Sequence, residues 1–178
     1  ANYETGFTSQ DVTAFQGLTN PTDNVNSVGY SLFHDETFIM HQTLTDNIVE
    51  LLSLDTQDGQ TAFIGNVIKS NGIQLRRAQG LAFVADEDTA YTWKDTKLYL
   101  LNVTSGAVRL VGESDPAKNE MFDMAYDNVA GRLFTLKDTG TGSRILIWDP
   151  DTVKRIHHFV VSDLPEGVKI NGIATNPT

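Results

Sequence analysis

Three stretches of this chain repeat one phrase at a constant spacing, and that repetition limits the fold more than any other feature. The clearest copy, Leu98 to Ser114, opens Leu-Tyr-Leu-Leu-Asn-Val-Thr-Ser-Gly and continues Ala-Val-Arg-Leu-Val-Gly. Its relatives begin at Leu51 (Leu-Leu-Ser-Leu-Asp-Thr-Gln-Asp-Gly) and at Ile145 (Ile-Leu-Ile-Trp-Asp-Pro-Asp-Thr-Val), so successive copies start 47 residues apart. Each is two apolar runs about a tight polar turn, the pattern of a β-hairpin. A fixed period between roughly 20 and 50 residues marks a repeat architecture, in which one supersecondary unit is stacked on the next.

A second phrase precedes each hairpin. Gly29-Tyr-Ser-Leu leads into Glu36-Thr-Phe-Ile-Met, Gly80-Leu-Ala-Phe into Thr89-Ala-Tyr-Thr-Trp, and Asp123-Met-Ala-Tyr into Arg132-Leu-Phe-Thr-Leu. One unit therefore holds four short strands, A to D, separated by turn signals. In the first two C–D turns, Asp55 or Asn102 accepts backbone N–H bonds, and Gly59 or Gly106 takes the positive φ. The third turn, Asp149 to Val153, has lost the glycine, which predicts a different turn of the same length.

The units are expected at about 28–71, 79–120 and 122–169, with the start of a fourth at 170–178. Gly172-Ile-Ala-Thr repeats the strand A phrase, so Ile173, Ala174 and Thr175 would form an unfinished edge able to accept another strand. Residues 1–27 stand outside the repeat as an N-terminal extended arm. Its apolar residues Phe7, Val12, Phe15 and Leu18 are the candidates for docking it on an open sheet.

Bulk properties narrow the partners. The formal charge is −10 with pI ≈ 4.6, which argues against nucleic acid and anionic membrane surfaces. No apolar run approaches the roughly 20 residues of a membrane helix. With no cysteine, disulfides and thiolate metal sites are excluded. The opening Ala1-Asn2-Tyr3 suits a mature secreted chain, as does the sequon Asn102-Val103-Thr104, which makes Asn102 the candidate glycosylation site.

At this point the residues resemble a known group. A Gly-Leu-Ala-Phe strand, an aromatic second strand and the Leu-Tyr-x-Leu-Asn-x-Thr-Ser-Gly hairpin are similar to secreted bacterial β-propeller repeats, over residues 28–178. The resemblance implies an all-β, propeller-like fold: three four-stranded antiparallel blades, an incomplete fourth and the arm. Propellers usually close with 4 to 8 blades. Four blades at this period would need about 188 residues, more than the 178 present.

No catalytic constellation is legible, so the expectation is a non-enzyme without metal or cofactor. His157 and His158 alternate across a strand and cannot hold one ion; one is expected buried and the other solvated. Asp55, Asp58, Asp86, Glu87, Asp88, Asp149 and Asp151 read as turn residues. Trp93 and Trp148 are the candidates for stacking on a sugar, although aromatic residues at such positions more often pack between blades. Phe83, Tyr91, Tyr99, Tyr126 and Phe134 recur at matched places and are expected in the core.

Open sheet edges recruit strands from other chains. The expected function is therefore an extracellular structural protein that assembles with itself, head to tail, into rings or filaments by strand addition of the arm. The alternative is a closed small propeller that binds glycans or proteins.

Overall fold

A computed structural model of the chain describes residues 24–43, 46–85, 87–114, 123–138, 142–161, 170 and 172–175. All its regular structure is β. Blade 1 is formed by β1 (Asn24–Ser31), β2 (Glu36–Gln42), β3 (Val49–Leu54) and β4 (Thr61–Asn66). A two-residue strand, β5 (Ile68–Lys69), follows. Blade 2 contains β6 (Gln79–Phe83), β7 (Thr89–Lys94), β8 (Lys97–Asn102) and β9 (Ala107–Glu113). Blade 3 contains β10 (Asp123–Asp127), β11 (Arg132–Asp138), β12 (Ser143–Asp149) and β13 (Lys154–Val161). Each blade is a sequential antiparallel meander, and β5 adds a parallel fifth strand to the outer edge of β9. The four-strand unit read from the sequence is thus the unit of the fold, and among the described residues the sheets do not close into a ring.

The first strands of the blades lie innermost, with β6 packed between β1 and β10. Alternation of side chains along each strand gives every blade two faces. Both faces of blade 2 are used. Ala90, Leu101 and Val108 meet Phe38, Met40, Val49 and Leu51 of blade 1. Trp93 and Leu98 meet Met124, Leu133, Leu146 and Trp148 of blade 3. These two inter-blade layers are the core. Tyr99 is buried, while Phe83, Tyr91 and Tyr126 are partly buried against the same layers. Phe134 instead points away from blade 2, paired across the sheet with Ala125 and Ile147.

Close approach of neighbouring inner strands is set by glycine. A Cβ on Gly29 would come 2.7 Å from Phe83 Cε2 and 3.2 Å from Leu81 O, so a side chain there would displace the Phe83 ring and crowd the β6 backbone.

The third C–D turn differs from expectation. Val153 has φ 52°, beside 76° at Gly59 and 73° at Gly106, so all three turns share the left-handed position. A β-branched residue there costs about 1–2 kcal/mol. Burial explains its retention: Val153 is 3% exposed and fills the space over Gly112 in the layer between blades 2 and 3. The packing gained there offsets the backbone strain.

The histidine pair also departs from expectation. Both His157 and His158 are exposed, because β13 is the outermost strand of blade 3 and no described segment lies across it. Alternation separates their directions, but neither face of that strand is covered.

Candidate functional site

The inner strands of the three blades line a groove of about 380 Å³. Its floor is apolar, with Leu32, Leu81, Phe83, Met124 and Ala125. Tyr30, Asn128 and Asp123 supply the polar groups. Asn128 is committed to the scaffold: its Oδ1 accepts the Ala85 N–H at 2.7 Å, tying the A–B turn of blade 3 to blade 2. Tyr30 donates to Asp35 across its own turn.

Ile173, Ala174 and Thr175 reach this groove. Ile173 N–H donates to Asp123 Oδ2 at 2.9 Å, and Thr175 Oγ1 donates to Tyr126 O at 2.7 Å. The segment lies where a fourth inner strand belongs, but side chains hold it to β10, and no ladder forms among the described residues. The extended acceptor edge expected here is therefore corrected to a strand-like segment clipped onto blade 3. The reason is local: blade 3 has Asp123 where blade 2 has Gly80, and its carboxylate captures the backbone N–H. Burial pushes the Asp123 carboxyl above its ordinary value, against the lowering effect of the Ile173 and Met124 N–H groups.

A second polar cluster joins blades 1 and 2. His34 Nε2 lies 2.6 Å from Asp88 Oδ1, Asn102 Nδ2 donates to Asp88 Oδ2 at 2.9 Å, and Thr104 Oγ1 donates to the same oxygen at 2.7 Å. Burial alone would raise the Asp88 carboxyl; hydrogen bonds from Thr104, His34 and Asn102 outweigh it and hold Asp88 below its ordinary value. Such a carboxylate contributes stability that is complete above about pH 4 and is lost as pH falls through the lowered folded value. Asp88→Asn is expected to unfold at lower denaturant than the parent at pH 7 and to lose less stability between about pH 4 and 2. Denaturation midpoints across that range check this, and parallel pH profiles would remove Asp88 from the linkage.

The same cluster corrects the reading of the sequon. Asn102 is half-buried, its Nδ2 faces Asp88, and its Oδ1 accepts Ser105 N–H at 2.9 Å. A glycan on Nδ2 would have to occupy the space of the Asp88 carboxylate. Asn102 is the turn-forming residue, as Asp55 and Asp149 are in the other units.

Trp93 and Trp148 are not sugar platforms. They are 3% and 1% exposed, and their rings pack on each other with centroids 5.1 Å apart. An indole that holds two blades together has no free face, which also removes the feature that favoured a glycan-binding reading. The arm residues Phe7, Val12, Phe15 and Leu18 lie outside the described residues. Among the described residues no three His, Asp or Glu side chains converge in a way that could hold a metal.

The feature that sequence reasoning missed is β13 itself. This eight-residue strand is exposed along almost its whole length, with Ile156 and Phe159 each 51% and Val160 60% exposed. Only β12 pairs with it among the described residues, whereas the equivalent β9 has β5 on its outer edge. The run Ile-His-His-Phe-Val-Val was a sufficient signal in the sequence. The run holds no lysine, proline or acid of the kind that usually blunts an edge strand; the two cations of β13, Lys154 and Arg155, are confined to its first two residues.

No protein-family model matches the sequence, and no curated protein matches it. Solved structures do share the fold. The chain is similar to a chain in a nidogen/laminin complex, at 11% identity and a TM-score of 0.55, over 76% of this chain and 48% of that one. It is also similar to the calcium-binding protein regucalcin from Agrobacterium tumefaciens str. C58, at 16% identity and a TM-score of 0.54, over 78% and 45% of the two chains. A luciferin-regenerating enzyme matches at 13% identity and a TM-score of 0.53, over 79% and 47%. All three are β-propeller-type proteins, and this chain spans less than half the length of each. Such folds carry enzymes and non-enzymes alike, so the likeness is one of architecture. By its fold, the chain is a β-propeller-type repeat protein whose described blades form an open arc.

Proposed function

We propose that the protein is a non-enzymatic, extracellular structural protein that assembles with itself, head to tail, through strand addition at blade 3. The observation that supports this most is β13. An eight-residue edge strand with Ile156, Phe159 and Val160 half or more exposed, and with only one ladder partner among the described residues, is a template for another chain. The acceptor is this strand, and the donor is the N-terminal arm of a neighbour. A donor from one end and an acceptor at the other make the contact heterologous, so it propagates until geometry closes it.

A secreted setting accords with the cysteine-free, acidic sequence. Deletion of residues 1–20 is expected to convert an assembled species into particles of monomer mass. Light scattering of the full and shortened chains makes the comparison, and an unchanged assembly state would defeat strand addition by the arm.

A further inference from the structure

The groove along the inner strands gathers apolar surface that the blades do not use for packing on one another. Val28 and Tyr30 of β1 and Leu32 just beyond it stand at alternate positions and are each about half exposed. Leu81 and Phe83 of β6 and Met124 of β10 continue the lining. A concavity of about 380 Å³ with an apolar lining and a few convergent polar groups has the size and composition of a small-molecule site. Contiguous exposed apolar surface of this kind marks binding more often than scattered residues do.

The polar groups say which molecule suits it. Asn128 is engaged by Ala85 N–H and Phe83 O, Thr175 by Tyr126 O, and Tyr30 by Asp35. Asp123 keeps spare capacity. An ionised carboxylate accepts at about four positions, and the N–H groups of Ile173 and Met124 use two of them. Asp123 is also the one charged residue among the described lining residues, with no Lys, Arg or His beside it. Burial without a cation opposite pushes its carboxyl upward, and an incoming positive charge would offset that cost.

Three ligand classes can be compared on this ground. An anion would meet Asp123 and a chain of formal charge −10, both unfavourable. A neutral apolar molecule would remove water from the carboxylate and return nothing to it. A cation with an apolar body satisfies both parts of the groove, and the rings of Tyr30, Phe83 and Tyr126 in the same lining favour positive charge over their faces. We propose that the groove binds a small organic cation: a protonated amine seated on Asp123, with an aliphatic or aromatic body over Leu81, Phe83 and Met124. The site lies on the inner strands, away from β13, and goes beyond the self-assembly reading without depending on it.

The test titrates the 178-residue chain at pH 7 with three probes of similar shape: phenethylamine, 2-phenylethanol and 3-phenylpropanoate. Calorimetry or ligand-observed NMR reads the affinities. The amine is expected to bind about tenfold or more tighter than the alcohol, the ratio that one charge-assisted hydrogen bond supplies, and the carboxylate probe weakest. Asp123→Asn should abolish the preference for the amine. Its amide oxygen can still accept Ile173 N–H, and an unchanged circular dichroism spectrum would show that the fold is kept. Asp58→Asn makes the same charge change on an exposed turn outside the groove and should leave the preference intact. The ranking of probes on the parent needs no variant to fold. Equal affinities for the three probes, or no binding at millimolar concentration, would overturn the proposal. So would an amine preference that survives Asp123→Asn, or one that both variants weaken equally, since the latter would reflect only the overall charge.

Discussion

Trp148→Ala is expected to destabilise the fold by about 3–5 kcal/mol, the range for truncating a large aromatic residue in a packed interior. The indole is 1% exposed, lies against Trp93 and sits in the layer that joins blades 2 and 3. Its Nε1–H also donates to Thr135 Oγ1 at 2.8 Å, and Thr135 is itself fully buried. Removing the ring leaves that hydroxyl facing a cavity, a further cost of about 1 kcal/mol or more. Domains have only about 5–15 kcal/mol of stability in total, so this one change consumes a large share. Trp148→Phe keeps most of the volume and loses the hydrogen bond, and should cost less than half as much. Urea unfolding followed by circular dichroism measures both. A loss below about 1 kcal/mol for the alanine variant would mean that the indole pair does not hold the blades together.

Gly106→Ala is the second large effect, expected at about 3 kcal/mol, because two independent penalties meet there. With φ 73° an L-residue is strained, and the added Cβ would lie 2.5 Å from the Asn66 carbonyl oxygen. That neighbour is backbone and cannot swing aside. Ile68 N–H donates to Gly106 O at 2.9 Å, so the turn and the start of β5 are held against each other. Gly59→Ala is the internal control. Its φ is 76°, but nothing lies within 4 Å of the new Cβ, which leaves only the backbone term of about 1 kcal/mol. The difference between the two variants measures the close approach of the turn to the end of β4. Equal losses would show that the approach is not enforced.

These two sites also mark where sequence reasoning reached and where it stopped. The glycine at the end of the C–D turn was legible, because a positive φ is a local demand that one residue type meets cheaply. Val153 misled for a related reason. The left-handed turn survives without glycine when tertiary packing rewards a larger side chain, and the layer over Gly112 belongs to another repeat. The tryptophans were legible as apolar strand residues, but their pairing across blades was not, since Trp93 and Trp148 belong to different sheets. The acceptor strand was placed at Ile173 to Thr175 because the phrase matched. One substitution, Asp123 for glycine in the preceding unit, changed how that segment is held.

The sequence by itself determined the repeat, the four strands of each unit, their order and the turns that join them. All of these follow from periodicities of two residues and of 47, which a chain carries without reference to its neighbours. Only the tertiary structure decided which face of each blade is covered, that β5 shields β9, and that β13 is left bare. Alternation tells which side chains share a face, but whether another sheet lies against it depends on contacts between distant repeats.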